Sequence, residues 1–137
     1  MSHVRTQIRD AVAGAVTSLA TVYKSRHLPI EEADLPSILV YTNNETVEGD
    51  FQTLARMLEI VVEIVVQGTD LGAEFDPLIV SVETALNANS LGGLTQSMVL
   101  RSTVVDSRID GAAQTGRARL TFEALYRTSF TDPESSI

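Results

Sequence analysis

Leu58-Glu59-Ile60-Val61-Val62-Glu63-Ile64-Val65-Val66 is the stretch on which the fold turns. Leu58, Ile60, Val62, Ile64 and Val66 fall on one side of an extended chain, and Met57, Glu59, Val61, Glu63 and Val65 on the other. Period-two patterning of this length, over 53–67, predicts a long central strand with its even face on the core. The odd face mixes valines and a methionine with two carboxylates, so it reads as neither plain core nor plain solvent surface.

On the C-terminal side, Gly68-Thr69-Asp70 ends the strand, and Phe75, Leu78, Ile79, Val82, Ala85 and Leu86 recur at helical spacing to about residue 89. Asp70, Glu74 and Asp76 crowd the start of that helix, where negative charge suits the macrodipole. Pro77 then belongs in its first turn, and Gly92-Gly93 marks the stop. On the N-terminal side, Pro36 launches a β-branched and aromatic strand, Ser37-Ile38-Leu39-Val40-Tyr41-Thr42, followed by a polar excursion over Asn43–Asp50. Residues 3–21 carry a second amphipathic helix, with Val4, Ile8, Val12 and Leu19 on one stripe and Ser2 as its cap. The connector 22–36 holds Pro29 and Pro36, which forbid a continuous helix and permit a short strand at Val22–Lys24.

Two further alternating segments, 97–106 and 117–128, predict strands. The first puts Met98, Leu100, Ser102 and Val104 on one face; the second puts Ala118, Leu120, Phe122, Ala124 and Tyr126 inside. The segment Ser107–Gly116 between them reads as a loop, and 131–137 as a frayed tail. The predicted fold is α+β: a two-layer sandwich in the order α-β-β-α-β-β, two helices on one face of a mostly antiparallel sheet, as a single domain over 1–130. Its core should comprise Val4, Ile8, Val12, Leu19, Leu58, Ile60, Val62, Ile64, Phe75, Leu78, Ile79, Val82, Leu86, Leu120 and Phe122. The other sheet face then keeps Met57, Val61, Val65, Val99, Val105 and Leu125 among charges, which predicts a partner surface.

A chain of 137 residues, 44% hydrophobic and 20% charged, suffices for one globular core. It has no cysteine, which excludes disulfides, thiol nucleophiles and thiolate metal sites. No leader-like apolar segment stands at the N-terminus and no apolar run approaches the roughly 20 residues a bilayer span needs, so a cytoplasmic site of synthesis and no membrane contact are expected. The net charge of −8 is concentrated between residues 31 and 90, where twelve acids face one base, Arg56. Nucleic-acid grip depends on clustered cations, so this middle argues against it.

The chemistry-bearing residues are sparse. His3 lies at the terminus and His27 in the connector beside Arg26, where an exposed loop histidine explains it better than a general base. Phosphate-binding glycine loops and nucleophile elbows are missing from the sequence. Asp70, Glu74 and Asp76 lack the spacing of a calcium loop. Neither a catalytic centre, nor a cofactor site, nor a metal site is expected. Glu59 and Glu63 face the same way along their strand and, with Arg101, Arg119, Glu123 and Arg127 on neighbouring strands, form a candidate interface or pore-lining set. They read equally well as cross-strand pairs and as a solvated face, and point away from the helix-covered core. Glu45, Glu48 and Asp50, with Arg108 and Asp110, mark the two polar segments as candidate contacts for a partner.

A leading helix, Ser25-Arg26-His27-Leu28-Pro29, an acidic run, Asp34-Leu35-Pro36-Ser37-Ile38-Leu39-Val40-Tyr41-Thr42, a polar excursion and then Leu58–Ile64 resembles the tail terminator proteins of long-tailed bacteriophages, the lambda minor tail protein U type. In length and element order the resemblance spans nearly the whole chain. It implies a structural virion protein, assembled in the host cytoplasm, that forms a homohexameric ring on the tail tube protein, stops tube polymerisation and presents a docking surface to the head–tail connector protein, with DNA passing through the pore without specific binding. The alternative is a small dimeric α+β ligand-binding or regulatory module that buries the same sheet face.

Overall fold

The computed structural model describes residues 2–24, 36–49, 52–87, 89–110 and 113–137, with the side chains of 107–110 and 113 outside that description. The elements are α1 (Val4–Ala15), β1 (Thr21–Tyr23), β2 (Ser37–Gly49), β3 (Thr53–Gly68), α2 (Leu71–Leu86), β4 (Ser97–Asp110), β5 (Ala113–Ser129) and β6 (Asp132–Ser136). They form one sheet in the order β1-β2-β3-β5-β4, with β6 attached to β5 beyond the start of β4. β1 runs parallel to β2 and every other pairing is antiparallel, so the sheet is mixed.

This overturns the expected α-β-β-α-β-β two-layer sandwich. The order is α-β-β-β-α-β-β-β and strand dominates. β1 is three residues long, too short for alternation to show. The tail expected to fray contributes β6, whose Asp-Pro-Glu-Ser-Ser composition carries no hydrophobic period. Pro133 is tolerated because β6 pairs with β5 alone. The Ile137 amide donates to the Arg127 carbonyl at 2.9 Å, and the Gln7 amide side chain donates to the Glu134 carbonyl at 2.8 Å, tying the end of the chain to β5 and α1.

The two polar segments read as loops are strand as well. β2 continues through Asn43–Gly49 against Leu54–Leu58, and β4 and β5 run as a hairpin through Asp110 and Ala113. Local polarity had suggested loops, but backbone pairing to a strongly extended neighbour decides the conformation. The first helix is also shorter than its period suggested, ending at Ala15 with Leu19 beyond it, and His3 rather than Ser2 caps it: its Nδ1 accepts the Arg5 amide at 3.1 Å. Asp70 caps α2 through the Ala73 amide at 3.2 Å, while Pro77 lies inside the helix, past its first turn, on the exposed side. After α2, Gly92 and Gly93 adopt φ of 70° and 94°, which side chains with a Cβ resist.

The even side chains of β3 from Leu58 to Val66, the buried stripes of both helices and Ala118, Leu120, Phe122, Ala124 and Tyr126 of β5 form one core. All but three of the expected core residues are buried there; Leu19, Leu78 and Ile79 pack against it partly exposed. Gly116 allows α2 this close approach, since a Cβ there would meet the Phe75 ring at 2.7 Å. On the opposite face Leu39, Tyr41, Val61 and Val65 form a second, smaller buried cluster. The sheet is therefore dry on both sides at one end and open on one side at the other.

Candidate interaction surface

The open end of the sheet owes its shape to two bulges. In β2 the register with β3 jumps between Thr42 and Glu45, so Asn43 and Asn44 together oppose Glu59. In β4 the register with β5 jumps between Leu100 and Ser102. Glu59 and Glu123 are direct cross-strand partners, which puts an acidic pair in the row between the two irregular edges. Like charges placed so are mutually destabilising. Here each has a donor: Asn43 Nδ2 gives a hydrogen bond to Glu59 Oε1 at 3.0 Å, and Arg101 Nη2 meets Glu123 Oε1 at 2.9 Å. Bulges bend and twist a strand locally, and the face between them is a trough of about 680 Å³. Ala55, Met57 and Leu125 line its floor, and Glu48, Glu59, Glu123 and Arg101 stand around them.

The β4 bulge also corrects the face assignment of that strand. Ser102 pairs with Thr121, Thr103 with Leu120, Val104 with Arg119 and Val105 with Ala118. Beyond the bulge, Ser102 and Val104 therefore lie on the open face and Thr103 and Val105 on the helix side, the reverse of the alternation expected from the sequence.

Of the six candidate interface residues, the structure brings together Glu59, Glu123 and Arg101. Arg119 and Arg127 stand exposed on the same face of β5. Glu63 is buried on this face. Its residue is only 4% exposed; it accepts the Tyr41 hydroxyl at 3.2 Å and Arg117 Nη1 at 3.3 Å, beside Leu39, Val61 and Val65. It packs against the second cluster, on the face away from the helices, and pairs across the sheet with Arg117 of β5.

Sequence reasoning missed a polar network under the open end, on the helix side. Glu45 and Arg56 pair at 2.8 Å with side chains only 8% and 11% exposed. The Tyr126 hydroxyl donates to the other Glu45 oxygen at 2.6 Å, Arg56 Nε donates to Thr128 Oγ1 at 3.1 Å, and Arg56 Nη1 approaches His3 Nε2 at 3.3 Å. Burial, the hydrogen bond to Glu45 and its charge all raise the Tyr126 pKa, so the hydroxyl stays protonated and donating. Glu45, a candidate partner contact in the sequence, is buried in this network. The available signal was Arg56, the single base in the acidic middle of the chain.

Glu48 is exposed. Asp50 and His27 lie outside the described residues, and Arg108 and Asp110 fall in β4 with their side chains undescribed. Among the described residues no group of three or more histidine, aspartate or glutamate side chains is arranged to hold a metal ion, and no helix is long and apolar enough to cross a membrane.

No protein-family model matches the chain, and no curated protein sequence does. Among solved structures, the fold is similar to that of a chain in the virion of a native gene transfer agent particle. The two share 20% sequence identity and a TM-score of 0.57, over 92% of this chain and 92% of that one.

Proposed function

We propose that this protein is a structural component of a phage-like virion: a homohexameric ring that caps the tail tube, ends its polymerisation and presents a surface to the head connector. The observation that carries this reading is the fold similarity to a virion chain along 92% of both lengths, joined to the tail-terminator resemblance in the sequence. The protein acts by shape and contact, without catalysis. Its partners are copies of itself, the tail tube protein and the connector protein. DNA passes through the ring without specific binding, which the acid-rich middle of the chain favours because like charges repel at short range.

A ring must close, because a heterologous interface that fails to close continues as a filament. The test is electron microscopy and native mass measurement of the purified chain, alone and mixed with tail tubes. Six-fold rings, and tubes capped at one end, are the expected outcome. A stable two-subunit particle that ignores tail tubes would replace this reading with the dimeric module.

A further inference from the structure

We propose that neighbouring copies join edge to edge, the outer side of β4 in one copy pairing antiparallel with the distal half of β2 in the next. This rests on the ring reading above and specifies its contact.

Two edges of the same sheet are left without a described strand beside them. β4 ends the strand order on one side, and on the other β1 covers β2 only at Ser37–Leu39. Asn44–Gly49 and Val99–Val105 are therefore edge segments among the described residues, and nearly all of both is exposed. Proteins that stay monomeric blunt such edges with lysine, proline, bulges or very short strands. Neither segment contains lysine or proline, and the two bulges end at Glu45 and Ser102, which leaves Thr46–Gly49 and Thr103–Val105 in regular register. Instead both carry exposed valines: Val47 is 45% exposed, Val104 57% and Val105 56%.

The two edges also fit each other. β2, β3, β5 and β4 alternate in direction, so β2 and β4 run opposite ways. A copy displaced sideways offers β2 to β4 in the same antiparallel sense as the rest of the sheet. Side chains must keep to their faces: Val47 (opposite Arg56), Thr103 and Val105 are on the helix side, while Glu48 (opposite Ala55), Ser102 and Val104 are on the open side. Pairing Val47 with Thr103 satisfies all of these. It sets Val47 diagonally against Val105, puts Thr46 opposite Val104, and brings Glu48 beside Ser102 and Arg101. One apolar contact and one opposite-charge contact then form across the junction. Because β2 and β4 are different edges, the contact is heterologous, as a ring requires.

The cysteine-free chain makes the test clean. Directly opposed residues of an antiparallel pair have Cα atoms about 4.5–5.5 Å apart, within disulfide range. Oxidation of assembled V47C/T103C is expected to give a covalent ladder ending at the ring, with neither single variant cross-linking. Val105→Lys should leave a folded monomer whose assembly is weakened by about tenfold or more, as edge lysines act elsewhere. A dimer from T103C alone would overturn the inference in favour of a two-fold β4 junction. Wild-type rings with no V47C/T103C cross-link would overturn the edge pairing and leave the ring standing. A wild-type chain that stays monomeric at all concentrations and beside tail tubes would overturn the ring itself.

Discussion

Glu59 and Glu63 sit four positions apart on the same face of the same strand, yet one lies at the rim of an open trough and the other inside a packed cluster. The difference comes from their neighbours across the sheet. Glu63 stands between Leu39 of β2 and Arg119 of β5, with Val61 and Val65 beside it, and its carboxylate is held by Tyr41 and Arg117. Glu59 faces the β2 bulge on one side and another carboxylate, Glu123, on the other. Sequence periodicity reports which way a side chain points but not what waits there. One end of this face serves folding, and the other is free for contact.

Charge reversal gives the largest expected separation between the two. Glu63→Lys places an ammonium among Leu39, Val61 and Val65 and leaves Arg117 facing it, a change of the kind that costs about 3–5 kcal/mol. Glu59→Lys removes a like-charge contact with Glu123 and should shift stability by no more than about 0.5 kcal/mol, as surface changes do. Urea melts of both single variants check this. Equal losses would erase the distinction between the two ends of the face.

The two faces of β3 offer a second contrast. Ile60 and Ile64 are fully buried, and truncating either to alanine should cost about 2–5 kcal/mol through lost transfer energy and a cavity. Met57, on the trough floor, is 39% exposed, so Met57→Ala should cost clearly less, about 1 kcal/mol or under. Measured in the assembled particle the order could narrow only if the trough is covered there. A loss for Met57→Ala that grows on assembly would sharpen the case that this face meets a partner.

The long alternation of β3 was legible because every even position from Leu58 to Val66 is apolar while the odd positions between them mix valine with glutamate. The helices were legible from their stripes, though α1 stops at Ala15 where the period suggested more. The strand character of Asn43–Gly49 was not, since asparagine and glycine favour turns and glutamate is depleted in strands, and pairing with β3 holds the segment extended. A single extra residue near Arg101 reverses the faces of the rest of β4, and nothing local marks a bulge of this kind in a sequence. Among the site residues, Glu59 faces another carboxylate, Glu123, across β3 and β5, and Arg101 pairs with Glu123. The burial of Glu45 was not legible, because its partner Tyr126 is 81 positions away and Arg56 meets it only through strand pairing.

The smallest expected effect belongs to the helix side of the open end, where α1 meets the buried network. His3 Nδ1 accepts the Arg5 amide as the helix cap, while its Nε2 lies 3.3 Å from Arg56 Nη1. Protonation would convert Nδ1 into a donor, remove the cap and add a cation near two arginines. Partial burial, then Arg5 and Arg56, hold the His3 pKa below its ordinary 6.5, against a smaller opposing pull from Glu45. The unfolded chain therefore binds the proton more readily than the folded one. The His3 contribution is complete above pH 6.5 and is lost as pH falls from there through the lower folded value. In His3→Asn the cap survives, because asparagine is among the preferred capping residues, but the titration does not. Melts between pH 7.5 and 5 should show the wild type losing more stability than His3→Asn, with α1 amides near Arg5 exchanging faster in the wild type at the acid end. Parallel curves for the two proteins would detach His3 from the Arg56 network.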